Sequence, residues 1–303
     1  MRMPHWIRQH LAAVRALLVL TVVTGIIYPL AVWAVAFLPG LHDKAEGSIT
    51  KVSGKAVGSD LIGQLYVDKD GNPLKQYVQG RPSAAGDGYD MQSTSASNLG
   101  PESIVDTLPD PKIIAAGKED DNAKSGLLTT VCGRSKAVGD LEGVDGSRPF
   151  CTPGGVGAVL SVIGPRNAQG NVVHPTQVVS INEECPATPF VATYLGVKVE
   201  CATYGQDYSK GQIVPIRGNA PANPKVPADA VTASASGLDP HISPAYALLQ
   251  AARVAKGRGV SREQIVKAIQ DNEDGRVLGF MGEPRVNVLN LNVELDRKYP
   301  FRG

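Results

Sequence analysis

The chain has 303 residues, 43% of them apolar, enough to bury a core and to fill one or two compact domains. Thirty basic against twenty-nine acidic residues leave a net charge of +1 with no lysine or arginine block, which argues against a nucleic-acid partner. Abundant glycine (33) and proline (22) with only 5% aromatics favour a turn-rich fold with strands over a long helical bundle.

Residues 16 to 38, ALLVLTVVTGIIYPLAVWAVAFL, run for 23 positions without a charge. At about 1.5 Å per helical residue they reach roughly 34 Å, enough to cross a hydrocarbon core about 30 Å thick. A cleaved signal peptide is the rival reading, because basic residues precede the run and Ala34-Val35-Ala36 has the small-x-small pattern. The run, however, exceeds the roughly 7 to 15 residues of an h-region. Pro29 removes a backbone donor near mid-membrane and Gly25 lies one turn earlier, which predicts a kink or a close helix contact. Tyr28 and Trp33 suit either a membrane interface or a neighbouring helix. Arg2, Arg8 and Arg15 precede the span without an acid, whereas Lys44, Lys51 and Lys55 beyond it are mixed with Asp43 and Glu46. The positive-inside rule therefore predicts cytoplasmic residues 1–15 and an extracytoplasmic chain from residue 39 onward.

After the early segment 39–104, the middle of the chain, 105–224, has a different texture. Short β-branched runs, GAVLSVIG (157–164), VVSI (178–181), FVATYL (190–195) and VKVECATY (197–204), are split by Gly, Pro and Asn and read as strands. All four cysteines, Cys132, Cys151, Cys185 and Cys201, fall here. In an oxidising compartment they read as two disulfides with three connectivities open. Zinc is the rival, but no closely spaced cysteine pair supports it. KEDDNAKSG (118–126) and RGNAPANPKVP (217–227) have linker composition. The expectation is a mostly β, disulfide-bridged insertion whose removal leaves assembly intact.

From residue 225 onward the signals are helical. Ser243-Pro244 offers an N-cap and a first-position proline, followed by Ala245, Leu248, Leu249, Ala252 and Ala255 on one face, with Gly257 and Gly259 as the stop. Ser261 with Gln264 forms a capping box for a second helix, ended by Asn272 to Gly275. VNVLNLNVEL (286–295) alternates and is read as a strand with a bulge near Val288 and Leu289 that restores its phase. The predicted fold class is α+β: one N-terminal transmembrane helix, then an extracytoplasmic α+β domain, 39–104 and 225–303, carrying the insertion.

GSDLIGQ (58–64), GRPSAAGDGYD (80–90), SNLGP (97–101), VTASASGLDPHISP (231–244) and GFMGEPRVNVLNLNVELD (279–296), behind one apolar span, resemble the C subunit of the bacterial Kdp potassium-transporting P-type ATPase. The resemblance covers most of the chain outside 105–224. It implies an accessory subunit of an ATP-driven potassium import complex, whose partners are a potassium-channel-like subunit and an ATP-hydrolysing P-type subunit. It also implies a catalytic-chaperone role, raising the pump subunit's affinity for ATP. Potassium and ATP are handled by the complex; no cofactor is assigned to this chain. Candidate subunit contacts are Gly25, Tyr28 and Pro29 on the span, and Arg81, Pro82, Ser83, Asn98, Asp239, Pro240 and His241 beyond it. The family has Gly where this chain has Ala235, which opens the question of a positive φ there.

The chemistry agrees with a non-catalytic subunit. The nearest string to the phosphorylated DKTG motif is Asp68-Lys69-Asp70-Gly71, read as a turn, and no phosphate-binding loop is present. Alternatives are an anchored exported hydrolase built on Ser234, Ser236, Asp239, His241 and Ser243, for which no G-x-S-x-G elbow exists, and an anchored binding protein. Asp87 and Asp90 read as turn formers, His174 and His241 lack a spaced second metal ligand, and Tyr89 is either a contact or a core residue.

Overall fold

The computed structural model describes residues 4–86, 88–92 and 98–301, and the chain divides into two compact units, residues 1–61 and 62–303. Arg2, Asp87 and Ser97 lie outside the described residues.

The first unit is dominated by one apolar helix, His5–Ala36, none of whose most apolar stretch is buried within the chain. Its 32 residues reach roughly 48 Å, so it starts well before the predicted span. It comprises α1 (His5–Val22), a π-helical turn (Val23–Ile27) and α2 (Tyr28–Ala36). The π turn has a local cause: Pro29 has no N–H to give to Gly25, and the ladder widens just before it. Thr24 Oγ1 also donates to the Leu20 carbonyl at 2.7 Å. The irregularity expected from Gly25 and Pro29 is therefore a π turn. A short α3 (His42–Ala45) and the hairpin β1 (Ile49–Val52) and β2 (Lys55–Ser59) complete this unit.

The second unit contains two sheets and a helical layer. After α4 (Pro111–Ala115) and α5 (Leu127–Glu142), strands β3 (Val159–Ile163), β4 (Gln177–Glu184), β5 (Thr193–Tyr194), β6 (Val197–Ala202) and β7 (Gln212–Pro215) form a sheet of order β5-β6-β4-β3-β7. Only β4 and β6 run parallel. Alternation sends Leu160, Val162 and Val178 to one buried face and Val159, Val179 and Ile181 to the other. The cysteines pair as Cys132–Cys151, with Cα atoms 5.4 Å apart, and Cys185–Cys201, 5.1 Å apart. The first bridge ties α5 to the loop before β3, and the second ties the end of β4 to β6.

The middle region thus holds the expected sheet and also a 16-residue helix, α5, that its composition did not announce. Both linker-like stretches are held in place. Asp120 is buried and accepts from the Asp110 and Asn122 amides at 2.8 and 2.9 Å, and Val226 is buried in the helical core.

That core is built by β8 (His241–Ile242), α6 (Pro244–Arg258), α7 (Arg262–Asp271), β9 (Glu273–Asp274), β10 (Arg285–Asn287) and α8 (Val288–Lys298), the strands in the order β8-β10-β9. Ser243 caps α6 by accepting from the Tyr246 amide at 3.1 Å, and Ser261 with Gln264 caps α7 reciprocally. Gly259, at φ 68, terminates α6, but Gly257 is inside the helix. A Cβ at Gly257 would sit 2.9 Å from the Lys75 carbonyl oxygen, so this glycine serves a close approach.

The expected strand over 286–295 is corrected. Only Arg285–Asn287 is extended; Asn287 then accepts from the Asn290 amide at 3.0 Å and caps α8. Val288, Leu291 and Leu295 recur at i, i+3 and i+7 and are buried, so the change of phase marks a switch to helical period and there is no bulge.

Candidate functional site

The segment before GRPSAAG is fixed first, and it is held by side chains. Gln79 N–H donates to Gln250 Oε1 at 2.7 Å while Gln250 Nε2 donates to the Gln79 carbonyl at 3.0 Å. Val78 and Asn292 exchange the same pair of bonds, both at 2.9 Å. Two amide side chains, one from α6 and one from α8, thus replace a neighbouring strand. Arg253 adds bonds to the Lys75 and Tyr77 carbonyls, both at 2.9 Å, and to Gln250 Oε1 at 2.7 Å. Arg258 donates to the Gln76 and Tyr299 carbonyls at 2.7 and 2.9 Å, pairs with Asp296 at 2.9 Å, and lies over the Tyr77 ring. Burial pushes the neighbouring Tyr66 phenol up to about 12. The sequence signal that was missed is the set of polar residues, Gln250, Arg253 and Asn292, on faces that otherwise carry apolar side chains.

With residues 74–79 so anchored, three motifs distant in sequence meet. Ser234 N–H donates to the Pro82 carbonyl at 2.7 Å and Ala84 N–H to the Ser234 carbonyl at 2.8 Å, a short parallel pairing of GRPSAAG with VTASASG. Gly63 N–H donates to the Leu238 carbonyl at 2.8 Å, and a Cβ on Gly63 would lie 2.6 Å from the Asp239 carbonyl oxygen. Asp90 N–H donates to the Ser236 carbonyl at 2.9 Å. The left-handed residue of this stretch is Gly237, at φ 80, where a Cβ would strike the Gly88 carbonyl oxygen; Ala235 has no positive φ. His241 pairs with Asn287 across β8 and β10, and Val288 N–H donates to the Pro240 carbonyl at 3.0 Å, which joins the GEPRVNV motif to the same framework.

On this framework Arg81 forms an ion pair with Asp239 at 2.9 Å and donates to the Thr232 carbonyl at 3.1 and 3.2 Å. Both charged side chains remain partly exposed, so the pair is worth about 0–1 kcal/mol and its main effect is to orient. Arg134 of α5 reaches the Val231 and Ser83 carbonyls at 3.1 and 3.4 Å, and Arg148 reaches the Val226 carbonyl at 2.6 Å. Burial lowers the pKa of both arginines.

The structure therefore brings Arg81, Pro82, Ser83, Asp239, Pro240 and His241 into one bonded layer. Asn98 is exposed, with φ 50, and among the described residues no hydrogen bond joins its side chain to that layer. Gly25, Tyr28 and Pro29 belong to the other unit, on its helix. Ser234, Ser243 and Asp239 of the hydrolase reading are engaged elsewhere. Ser234 Oγ accepts from Gly237 N–H, Asp239 holds Arg81, and Ser243 Oγ donates to Asp229 at 2.9 Å. Asp68 accepts from the Asp70 and Asn72 amides at 2.9 and 2.8 Å, the turn expected of that string. His174 is exposed, and among the described residues no group of three or more His, Cys, Asp or Glu is placed to hold a metal ion.

Comparison with known families matches residues 10–108 and 203–297 to KdpC, the c chain of the K+-transporting ATPase. The chain is 32% identical over 294 residues to the potassium-transporting ATPase KdpC subunit of Kineococcus radiotolerans, covering 97% of this chain and 96% of that protein. It is 33% identical over 290 residues to the KdpC subunit of Mycobacterium bovis, covering 96% and 98%, and 34% identical over 286 residues to that of Streptomyces coelicolor, covering 94% and 90%. Coverage this complete runs through the cysteine-bearing region, so these relatives match its length as well as the flanking motifs. The chain belongs to the KdpC family, the potassium-transport subunits of the Kdp ATPase.

Proposed function

We propose that this chain is the accessory subunit of a high-affinity ATP-driven potassium importer. Its helix packs among the helices of the P-type pump subunit and the channel-like subunit, and its folded domain lies outside the cytoplasm beside the potassium entrance. The observation that carries this reading is the helix His5–Ala36: its apolar stretch has no buried residue within the chain, and its π turn at Gly25 and Pro29 opens a place for close helix contact. Two disulfides suit an oxidising compartment, and Arg8 and Arg15 ahead of the apolar run suit a cytoplasmic N-terminus.

The chain itself performs no phosphoryl transfer in this reading. With the domain outside and ATP inside, any rise in the pump subunit's ATP affinity passes through the packed helices as coupling between states. Labelling of cysteines in intact cells before and after reduction, together with a pull-down, tests both parts. The expected result is extracytoplasmic cysteines that become reactive only on reduction, in a chain that stays with the pump subunits in detergent. Reactive cysteines only in the cytoplasm overturn the topology, and a chain that purifies alone overturns the subunit role.

A further inference from the structure

Residues 276–283 form a narrow hairpin that rises from the core sheet, and its tip is apolar. Val277 and Met281 exchange both backbone bonds at 2.9 Å. The base is closed by Arg276–Glu283 at 2.7 Å and, one rung lower, by Arg285–Asp274 at 3.6 Å. Below that, Val286 is fully buried in the helical core. The stalk is therefore a continuation of the β9–β10 pair, rooted in the helical core through Val286.

The tip exposes Val277, Leu278, Phe280 and Met281 by 56, 79, 70 and 52%. Leu278 is more exposed than any other large apolar side chain described, those of the apolar helix included. It also holds φ 54, a left-handed conformation that disfavours a leucine, and Gly279 and Gly282 follow at φ 78 and 80. A soluble surface gains nothing from four exposed apolar residues on a preorganised turn.

We propose that this hairpin is a docking finger that inserts its Leu278, Phe280 and Met281 side chains into an apolar cleft on another protein subunit of the complex. This rests on the accessory-subunit reading. The occupant is a protein and not a lipid surface because of the charge around the tip. Residues 273–285 carry three acids against two arginines, and both arginines are already paired with acids across the stalk. A neutral-to-acidic collar does not attract anionic headgroups, whereas it complements the polar rim of a protein cleft. Phe and Met at the tip, with no Trp or Tyr, suit an adaptable protein contact better than a membrane interface.

The test uses the full chain expressed with its complex, carrying a photo-crosslinking phenylalanine analogue at position 280 and, as a control, at the exposed Val173. The expected result is a covalent product with the pump or channel-like subunit, identified by mass spectrometry, from position 280 and not from 173. Crosslinks to lipid, to a second copy of this chain, or to nothing overturn the finger in preparations where the chain does co-purify with those subunits. Failure of the wild-type chain to co-purify defeats the underlying reading and the finger with it. In parallel, Leu278→Ser with Phe280→Ser should weaken retention in the complex by roughly tenfold or more at unchanged Tm. Unchanged retention refutes the proposal.

Discussion

Replacing either partner of the buried Arg253–Glu142 pair should have very unequal effects. Nε of Arg253 meets Glu142 Oε1 at 2.9 Å, and the Glu142 side chain is only 1% exposed, with Oε2 lacking a hydrogen-bond partner. Burial raises the Glu142 pKa above its ordinary 4.5, with Arg253 opposing the shift. In Glu142→Gln, Arg253 keeps its bonds to the Lys75 and Tyr77 carbonyls and to Gln250, so the loss is about 1 kcal/mol. In Arg253→Ala, a carboxylate is left buried without a cation and those carbonyls lose a donor, which costs about 3–5 kcal/mol. For a domain of this size that lowers Tm by roughly 6–20 °C. The raised pKa also sets a pH dependence. The native state holds the Glu142 proton more tightly than the unfolded chain, so this contribution is fully present below 4.5 and is lost as pH rises through the native value. The Arg253→Ala penalty should therefore shrink in acid, and Glu142→Gln should remove this component of the pH slope. Thermal melts of the full chain in detergent from pH 4 to 8 read all three. Equal Tm losses for the two variants, or an Arg253→Ala penalty that is flat with pH, would refute the reasoning.

Cys132→Ser with Cys151→Ser opens a loop of sequence separation 19 and should cost about 3 kcal/mol, read as a drop in Tm that reducing agent no longer deepens at that bridge. Gly257→Ala should destabilise by about 1–3 kcal/mol despite alanine's higher helix propensity, because the new methyl meets the Lys75 carbonyl; a gain in Tm would show that the contact yields. Leu291→Ala should cost about 2–5 kcal/mol, as for a fully buried leucine. Excising residues 109–202, the stretch between the two family-matched segments, should lower stability sharply, because it strips β7 of its partner β3 and uncovers Leu108, Tyr208 and Ile213. An excised chain with the parent's Tm would refute this.

The helices α6 and α7 were legible because their ends are written in local chemistry: Ser243-Pro244, the Ser261 and Gln264 box, and Gly259. The pieces of the sheet were legible from β-branched runs, but their order was not, since β4 and β6 run parallel and no local signal encodes that. Helix α5 is not legible in the sequence because Thr, Val, Cys and Gly dilute its helical pattern, and what fixes it is tertiary: Asp106 accepts from Gly126 N–H and Thr129 Oγ1 at 2.6 and 2.7 Å, and Cys132 anchors it. The alternation of VNVLNLN imitates a strand where helix α8 forms; the loss of phase at Val288 and Leu289 is the clue in the sequence, and period 3.6 accounts for it without a bulge. Of the candidate contacts, Arg81 and Asp239 were visible as charges in motifs, but their pairing across 158 positions was not.

The middle region and the motif layer are coupled through backbone carbonyls, and this explains why the family match and the fold do not share a boundary. The match resumes at residue 203, yet β7 lies beyond that point and, among the described strands, pairs with β3 alone, which lies before it. In the other direction Arg134, Arg148 and Glu142, all within 109–202, reach Val231, Val226 and Arg253 on the matched side. A long arginine is suited to this, since its planar fork satisfies carbonyls that a loop leaves unpaired, whichever segment they come from. Removing one such arginine strands those carbonyls under the motif layer, so Arg81 and Asp239 owe their presentation at the surface partly to residues that no motif contains.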